Sequence, residues 1–349
     1  MEAARSKAGK KVCLPVKADA YGHGALSISR IAIEAGAEYL GVATVGEGLE
    51  LRAGGITAPI LLFAQALPEE IPSIVSAGLS PFISDPEFAQ MLDSGAEQLN
   101  KKGKVHLKID SGMGRNGCRP EAAADLAGKI VNCRNLILEG TATHLSVSDS
   151  ENDDDMAYTK EQLCKFNDAI SSIRDAGLDP GIVHAANSGG LVFHEDSYFD
   201  MIRPGIFCYG YSPSDKLLPA KPVMELRSNV TVIKQVKKGE AISYGRTYIT
   251  PEDTFIGIIP LGYSDGLSRR LSGDHLVKIG EDRYPIVGRI CMDQCMLNLG
   301  PGTKVKRGDE VTIFGPGYTD LNDLYLKLNT IPNDLACAIS KRVVRVYKD

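Results

Sequence analysis

The sequence predicts an α/β chain in two parts, a (β/α)8 barrel of the TIM type followed by a mostly β C-terminal domain. Three observations predict it. Over the first two thirds of the 349 residues, eight short apolar runs alternate with helix-length amphipathic segments. That rhythm suits a closed parallel barrel, because each strand must return through a crossover to lie parallel to the one before. Near Pro219-Ala220-Lys221-Pro222 the rhythm stops, and β runs separated by Gly- and Pro-rich turns take over. No G-x-G-x-x-G turn follows the first strand, which argues against an open doubly wound sheet. The expected domains are residues 1–222 and 223–349.

Taken in order, the barrel strands read as Lys11–Lys17, Tyr39–Ala43, Ile60–Phe63, Leu79–Ile83, Val105–Ile109, Leu136–Thr143, Gly181–His184 and Tyr198–Ile202. Between them Ser27–Ala35, Glu69–Ala77, Pro86–Asn100, Pro120–Val131 and Met156–Ala176 carry helical spacing. In the second part Leu226–Val236, Phe255–Pro260, Leu276–Ile279, Arg283–Val287 and Glu310–Phe314 read as strands, with a helix at Leu321–Leu328. Asp149–Asp155 reads as a solvated acidic loop without a role.

Composition narrows the class of function. The formal net charge of −5 argues against nucleic acid or an anionic membrane as the main partner. No apolar run reaches the length of a membrane span. Met1–Lys7 lacks the apolar core of a secretory signal, and the eight cysteines show no metal-ligand spacing. A soluble cytoplasmic enzyme with reduced thiols is expected.

The chemistry centres on Val16-Lys17-Ala18-Asp19-Ala20-Tyr21-Gly22-His23-Gly24. Strand alternation puts Cys13, Pro15 and Lys17 on one face. A lysine at a strand end in a desolvated cavity loses its proton readily and becomes a nucleophile for carbonyls. The plainer alternative is a lysine that snorkels to solvent. Tyr21 and the Gly22–Gly24 turn before a helix suit a phosphate. A lysine beside a phosphate seat points to a Schiff-base cofactor such as pyridoxal 5'-phosphate.

Further polar residues recur where barrel strands end, the place where barrel enzymes gather their sites. In His106–Arg115 the alternation sends Lys108 and Asp110 inward, and a Gly-rich turn then presents Arg115. Gly140–His144 ends on histidine, His184–Gly189 on Asn187 and Ser188, and Ile202–Ile206 on Arg203 with Gly205 and Ile206 behind it. Singly, each has a structural explanation: a helix cap, a satisfied buried histidine, an ion pair. Their joint placement argues for one site. In the second part Ser243-Tyr244-Gly245 reads as a turn and Gly288–Gln294 as a polar break in a β run.

Val16–Gly24, Lys108–Arg115, His144, Asn187-Ser188, Arg203–Ile206, Ser243–Gly245, Gly262–Gly266 and Arg289–Gln294 together closely resemble alanine racemase, in collinear order from about Gly9 to the C-terminus. The resemblance implies a pyridoxal-phosphate enzyme that works as a head-to-tail homodimer on a small amino acid and supplies D-alanine for peptidoglycan. Lys17 would hold the cofactor and act as one base, and Tyr244 of a second copy would be the other. Racemisation removes a proton from one face of Cα and returns it to the opposite face. A phenol with a pKa of ~10 needs positive neighbours to serve as a base. His144 beside Arg203 would supply them, and Arg203 would meet the pyridine nitrogen. Tyr21, Ser188, Gly205 and Ile206 would grip the phosphate, with Asn187 alongside. Arg115 and Met292 would face the substrate carboxylate. Lys108, carbamylated in many members, would orient Arg115, and Tyr263, Cys291 and Asp293 would support the site.

Two departures from the family pattern stand out. Lys341 occupies the position where the family usually has a tyrosine that contacts the phosphate and shapes the substrate pocket, which raises serine as an alternative substrate. The family also has a strand and most of a helix ahead of the catalytic-lysine strand. This chain starts partway through that helix, so the β domain is expected to lack an edge strand. Among rivals, Ser243–Gly245 and Cys291–Gln294 favour a racemase over a decarboxylase of similar build, and the second domain argues against a non-catalytic cofactor carrier.

Overall fold

The structure of the chain, a computed structural model, describes residues 1–214 and 216–348. It divides into two compact units, the first ending at Ala220 and the second beginning at Lys221.

The first unit is an eight-stranded parallel sheet that curls into a near-closed barrel. Its strands are β1 (Lys11–Pro15), β2 (Tyr39–Val42), β3 (Ile60–Leu62), β4 (Leu79–Ile83), β5 (Gly103–Lys108), β6 (Leu136–Ala142), β7 (Ile182–His184) and β8 (Met201–Ile202). They lie in the order β7-β6-β5-β4-β3-β2-β1-β8. The join from β8 back to β7 is made outside the ladder. Val183 donates its N–H to the Asp200 carboxylate at 2.8 Å and accepts the Asp200 N–H at 2.9 Å, while Arg203 N–H donates to Ala186 O at 2.8 Å.

Side-chain alternation builds two layers from each strand. Val12 packs outward with Ala4, Leu191, Tyr198 and Phe207, whereas Cys13 packs with Tyr39, Leu61 and Met201. Each such buried aliphatic side chain contributes about 1.5–3 kcal/mol. The covering helices start where their caps dictate. Thr44 and Glu47 form a reciprocal capping box, and Asp85 accepts from Phe88 N–H at 2.8 Å.

Several elements differ from the expected ones. The first strand ends at Pro15 rather than Lys17, because the chain enters a left-handed turn there. The run Tyr198–Ile202 keeps only Met201–Ile202 as strand, since Phe199 sits at φ 48° and the Tyr198 hydroxyl turns back to Leu191 O. The acidic loop is half helix: Asp153–Asp155 form the first turn of Asp153–Asp175, capped by Asn152, where negative charge favours the helix dipole.

The second unit holds β9 (Leu226–Asn229), β10 (Val232–Val236), the short pair β11 (Ala241–Ile242) and β12 (Tyr248–Ile249), β13 (Thr254–Ile259), β14 (Leu276–Ile279), β15 (Asp282–Val287), β16 (Cys295–Gly300) and β17 (Glu310–Phe314). Seven of these make an antiparallel sheet ordered β10-β13-β16-β15-β14-β17-β9. The single run expected at Leu226–Val236 is two strands on opposite edges of it. Strand β16, which sequence reading passed over, lies near its centre. Among the described residues no helix is long and apolar enough to cross a membrane.

Candidate active site

Lys17 lies two residues beyond β1 and opens a run in which Ala18, Asp19, Ala20 and Tyr21 all have φ between 52 and 55°. Four consecutive non-glycine residues in the left-handed region cost about 1–2 kcal/mol each. Specific partners hold them there. Glu47 accepts the Ala18 N–H at 2.7 Å, and Asp19 Oδ1 accepts the Ala25 N–H at 2.8 Å, capping the helix Ala25–Glu34. Ala20 and Tyr21 are buried, and the Tyr21 ring lies 4.8 Å from that of Tyr209. The turn fixes a half-buried Lys17 at the end of the first strand.

On the neighbouring strand, Arg203 follows β8 and is 5% exposed. It donates to His184 Nδ1 at 2.7 Å, Thr143 O at 2.8 Å, Ala185 O at 3.0 Å and His144 Nδ1 at 3.4 Å. Burial pulls its pKa down to about 10, so it remains a cation at neutral pH. Burial, reinforced by Arg203, Lys108, Arg115 and Lys17, pushes His144 well below the usual histidine range. His144 is therefore neutral, and the positive neighbour at the mouth is Arg203 itself.

Lys108 points inward, as its alternation on β5 requires, and donates to Ile109 O at 2.9 Å. Burial and the nearby Arg203 lower its pKa to about 7, with Asp110 opposing. Asp110 Oδ1 accepts the N–H groups of Gly112 and Gly114, each at 3.0 Å, which fixes the glycine turn that presents the exposed Arg115. Burial favours the Asp110 acid form, but these backbone bonds and Lys108 outweigh it and hold the carboxyl below its ordinary range.

A third wall comes from the ends of β7 and β8. Asn187 accepts from Gly190 N–H at 2.9 Å and Ser148 Oγ at 2.7 Å, and so begins the turn that carries a buried Ser188. Ser188 Oγ accepts the Phe207 N–H at 3.1 Å. The N–H of Gly205, a residue expected at the phosphate, closes a tight turn onto Arg203 O at 3.0 Å. Gly205 also keeps space: a Cβ there would lie 2.6 Å from the Tyr21 hydroxyl. Ile206 follows it in the short helix Gly205–Cys208.

In the second unit the singled-out residues form a cluster of their own. Ser243, at φ 66°, donates to Arg289 O at 2.6 Å and turns Tyr244 outward, 70% exposed. Cys291 Sγ is 3.5 Å from Ser243 Oγ, and the Cys291 carbonyl accepts the Tyr263 N–H at 3.1 Å. Met292 accepts the Ser264 N–H at 3.0 Å through its carbonyl and leaves its side chain exposed. Arg342 bridges Asp265 at 2.7 Å and Asp293 at 2.8 Å, which anchors the segment bearing Lys341.

Sequence reading missed Glu47, Thr143 and His184. Thr44-x-x-Glu47 is a capping box in the sequence, but nothing there shows that its glutamate also reaches Ala18. His184 stood at a strand end like His144 and could have been found by that position.

The two family models that match are the alanine racemase N-terminal domain, over residues 1–213, and the alanine racemase C-terminal domain, over residues 223–347. An alanine racemase of Treponema denticola is 47% identical over 348 residues, covering 97% of this chain and 92% of that protein. One from Treponema pallidum is 42% identical and covers 98% and 94%. An alanine racemase structure from Clostridium difficile superposes with a TM-score of 0.92 at 34% identity, covering 98% of this chain and 90% of that one. Another, from Bartonella henselae with covalently bound pyridoxal phosphate, gives 0.87 at 26% identity, covering 99% and 95%. The chain belongs to the alanine racemase family, whose members are pyridoxal-phosphate-dependent amino-acid isomerases.

Proposed function

We propose that this chain interconverts L- and D-alanine with Lys17 and Tyr244 as its two bases, each working from one face of the substrate. The observation that carries the reading is the barrel mouth itself: a half-buried Lys17 on a braced turn, a buried Arg203 donor, and Lys108 and Arg115 around a neutral His144. The residues present fit pyridoxal 5'-phosphate, since an amine, the hydroxyls of Tyr21 and Ser188 and a buried guanidinium gather at one barrel end. The space kept by Gly205 beside Tyr21 supports the same fit. When bound, the cofactor withdraws electrons from the substrate Cα and so acidifies its hydrogen.

Lys17 would hold the cofactor and carry a proton at Nζ on one face of Cα. Tyr21, Ser188 and Ile206, with Asn187, Gly205 and Lys341, would form its phosphate seat. Arg203 would donate to its ring nitrogen and would keep the ring from gaining a full proton. Arg115 and Met292 would take the substrate carboxylate. Lys108, partly unprotonated near neutral pH, is suited to carbamylation and would then present an anion to Arg115. The exposure of Tyr244 and Met292 supports their donation to a second copy in a head-to-tail homodimer, with Tyr263, Cys291 and Asp293 as their frame. D-Alanine made this way would feed peptidoglycan in the cytoplasm.

The test is spectroscopic and polarimetric. Purified protein is expected to show the visible band of a lysine-bound pyridoxal cofactor and to abolish the optical rotation of L-alanine. A band that survives Lys17→Ala would sink the assignment. Lys341 supports a second reading, relaxed specificity that includes L-serine. Lys341→Tyr is expected to lower the serine-to-alanine rate ratio, and an unchanged ratio would clear Lys341 of that role.

A further inference from the structure

Behind Arg203 the barrel interior holds a line of polar side chains that the chemistry above does not use. His184 Nε2 lies 2.9 Å from His106 Nδ1, and His106 Nε2 lies 3.3 Å from Glu139 Oε2. The other oxygen of Glu139 meets Lys104 Nζ at 2.6 Å. Both imidazoles are fully buried, with the Phe82 ring 6.1–6.3 Å from each and Tyr39 edge-on to His106.

The protons along this line are fixed from both ends. Arg203 can only donate, so His184 Nδ1 is bare and its proton sits on Nε2, facing His106 Nδ1. His106 must then carry its own proton on Nε2, facing Glu139. Starting from Glu139, an ionised carboxylate that can only accept, gives the same assignment. Burial pushes both rings below the usual histidine range, which keeps each neutral with a single proton. Burial alone would raise Glu139, but His106 and Lys104 outweigh it and leave its pKa at about 2.

The backbone is shaped to hold the line. In the β5–β6 ladder Val105 pairs with Leu138 and His106 with Gly140, so Glu139 is the extra residue of a bulge. Bulges re-aim side chains next to sites. A Cβ at Gly140 would lie 2.5 Å from His106 ring atoms, and one at Gly181 would lie 2.3 Å from Glu139 O. Two glycines thus make room for the imidazole and for the bulge.

We propose that His106 and Glu139 are positioning residues for the racemase reaction, acting through the His184 tautomer to hold Arg203 as a fixed donor at the barrel mouth. The proposal rests on the reading that Arg203 meets the cofactor ring. His184, the Thr143 and Ala185 carbonyls and His144 are all neutral partners of the guanidinium, and the anion of the line stands two rings away. Reversing the tautomers would set an N–H of His184 against an N–H of Arg203 and drive the guanidinium from its place.

The experiment uses 15N-histidine-labelled holoenzyme. His106 and His184 are both expected as neutral Nε2–H tautomers between pH 7 and 8, and the same rings in cofactor-free protein should read alike. In Glu139→Gln the carboxamide oxygen stays with Lys104 and its NH2 turns to His106, so both tautomers should reverse. The visible band should shift, and kcat should fall about tenfold with KM changed far less. Glu139→Gln/Lys104→Met frees the oxygen to face His106 and should restore tautomers, band and kcat; Lys104→Met alone should keep all three. Nδ1–H tautomers in the wild type would overturn the proposal without any variant. So would a Glu139→Gln enzyme with unchanged tautomers and kcat. An unchanged band in Arg203→Lys, with the wild-type tautomers as stated, would instead remove the reading on which the proposal rests, leaving the line intact but without a part in the reaction.

Discussion

Glu47 Oε1 accepts the backbone N–H of Ala18 at 2.7 Å, one residue beyond Lys17. The same carboxylate takes the N–H groups of Ala43 at 2.7 Å and Thr44 at 3.1 Å through its other oxygen. One side chain therefore ties the left-handed turn after β1 to the end of β2. Glu47→Ala is expected to cost about 1.5–3 kcal/mol, the range for bonds to a charged group. The loss should appear in urea unfolding together with weaker retention of cofactor. Ala18→Gly should gain about 0.5–1 kcal/mol, because glycine occupies φ 52° without the steric penalty. Equal loss in both variants would show that the turn is not strained.

Lys108 makes stability depend on pH in a definite direction. Its folded pKa of about 7 lies below the ordinary value of 10.5, so between these pH values the unfolded chain holds a proton that the folded chain has released. Unfolding free energy should rise with pH across that window, by up to about 1.4 kcal/mol per pH unit. Below pH 7 both states are protonated, and the burial penalty is present in full. Lys108→Met should remove the slope and stabilise the acid side. The comparison is urea unfolding at pH 6.5 and 9, with carbon dioxide excluded so that the amine stays free.

Gly140 has no room for a side chain. A Cβ would sit 2.5 Å from His106 Cε1, His106 Nδ1 and the Ile182 carbonyl oxygen, and two of these belong to a packed ring while the third is backbone. Gly140→Ala should therefore cost about 1–3 kcal/mol, as overpacking of a filled interior does. Calorimetric unfolding measures it. A neutral outcome would mean that the β6 bulge relaxes freely.

Tyr244→Phe separates binding from chemistry. The hydroxyl is the proposed second base, while the ring is the frame that presents it. The variant should keep the visible cofactor band and lose at least about a hundredfold in racemisation. Full activity would contradict the two-base scheme.

How much of this was legible in the sequence depended on the range of the interaction. The first strand's existence, the inward face of Lys108 and the polar strand ends at His144 and Arg203 followed from alternation and rhythm, which are local properties; that the strand stops at Pro15, short of Lys17, did not. Ala18-Asp19-Ala20-Tyr21 carried no sign of a left-handed turn, because its supports, Glu47 and the buried Tyr21–Tyr209 contact, lie far along the chain. Strand β16 hid behind the polar Gly288–Gln294 stretch that precedes it. Asn229 and Thr231, polar breaks inside an apolar run, marked the split between β9 and β10 but do not say that the two halves lie on opposite sheet edges. His106 shared a strand face with Lys108 and so pointed inward on paper. Its meeting with Glu139 needed a bulge, and alternation alone would send Glu139 to a different face.

The join between β7 and β8 has a last consequence. On one side it carries His184, on the other Arg203, and besides the bonds of Val183, Asp200 and Ala186 the guanidinium itself stitches the two, to His184 Nδ1 at 2.7 Å and to Ala185 O at 3.0 Å. Hydrogen exchange in the native protein should begin at this seam, with the amides of Val183 and Arg203 giving up their protons before those within the β1–β2 ladder. Closing the cylinder and assembling its reactive end are then a single event, since the contact that completes one completes the other.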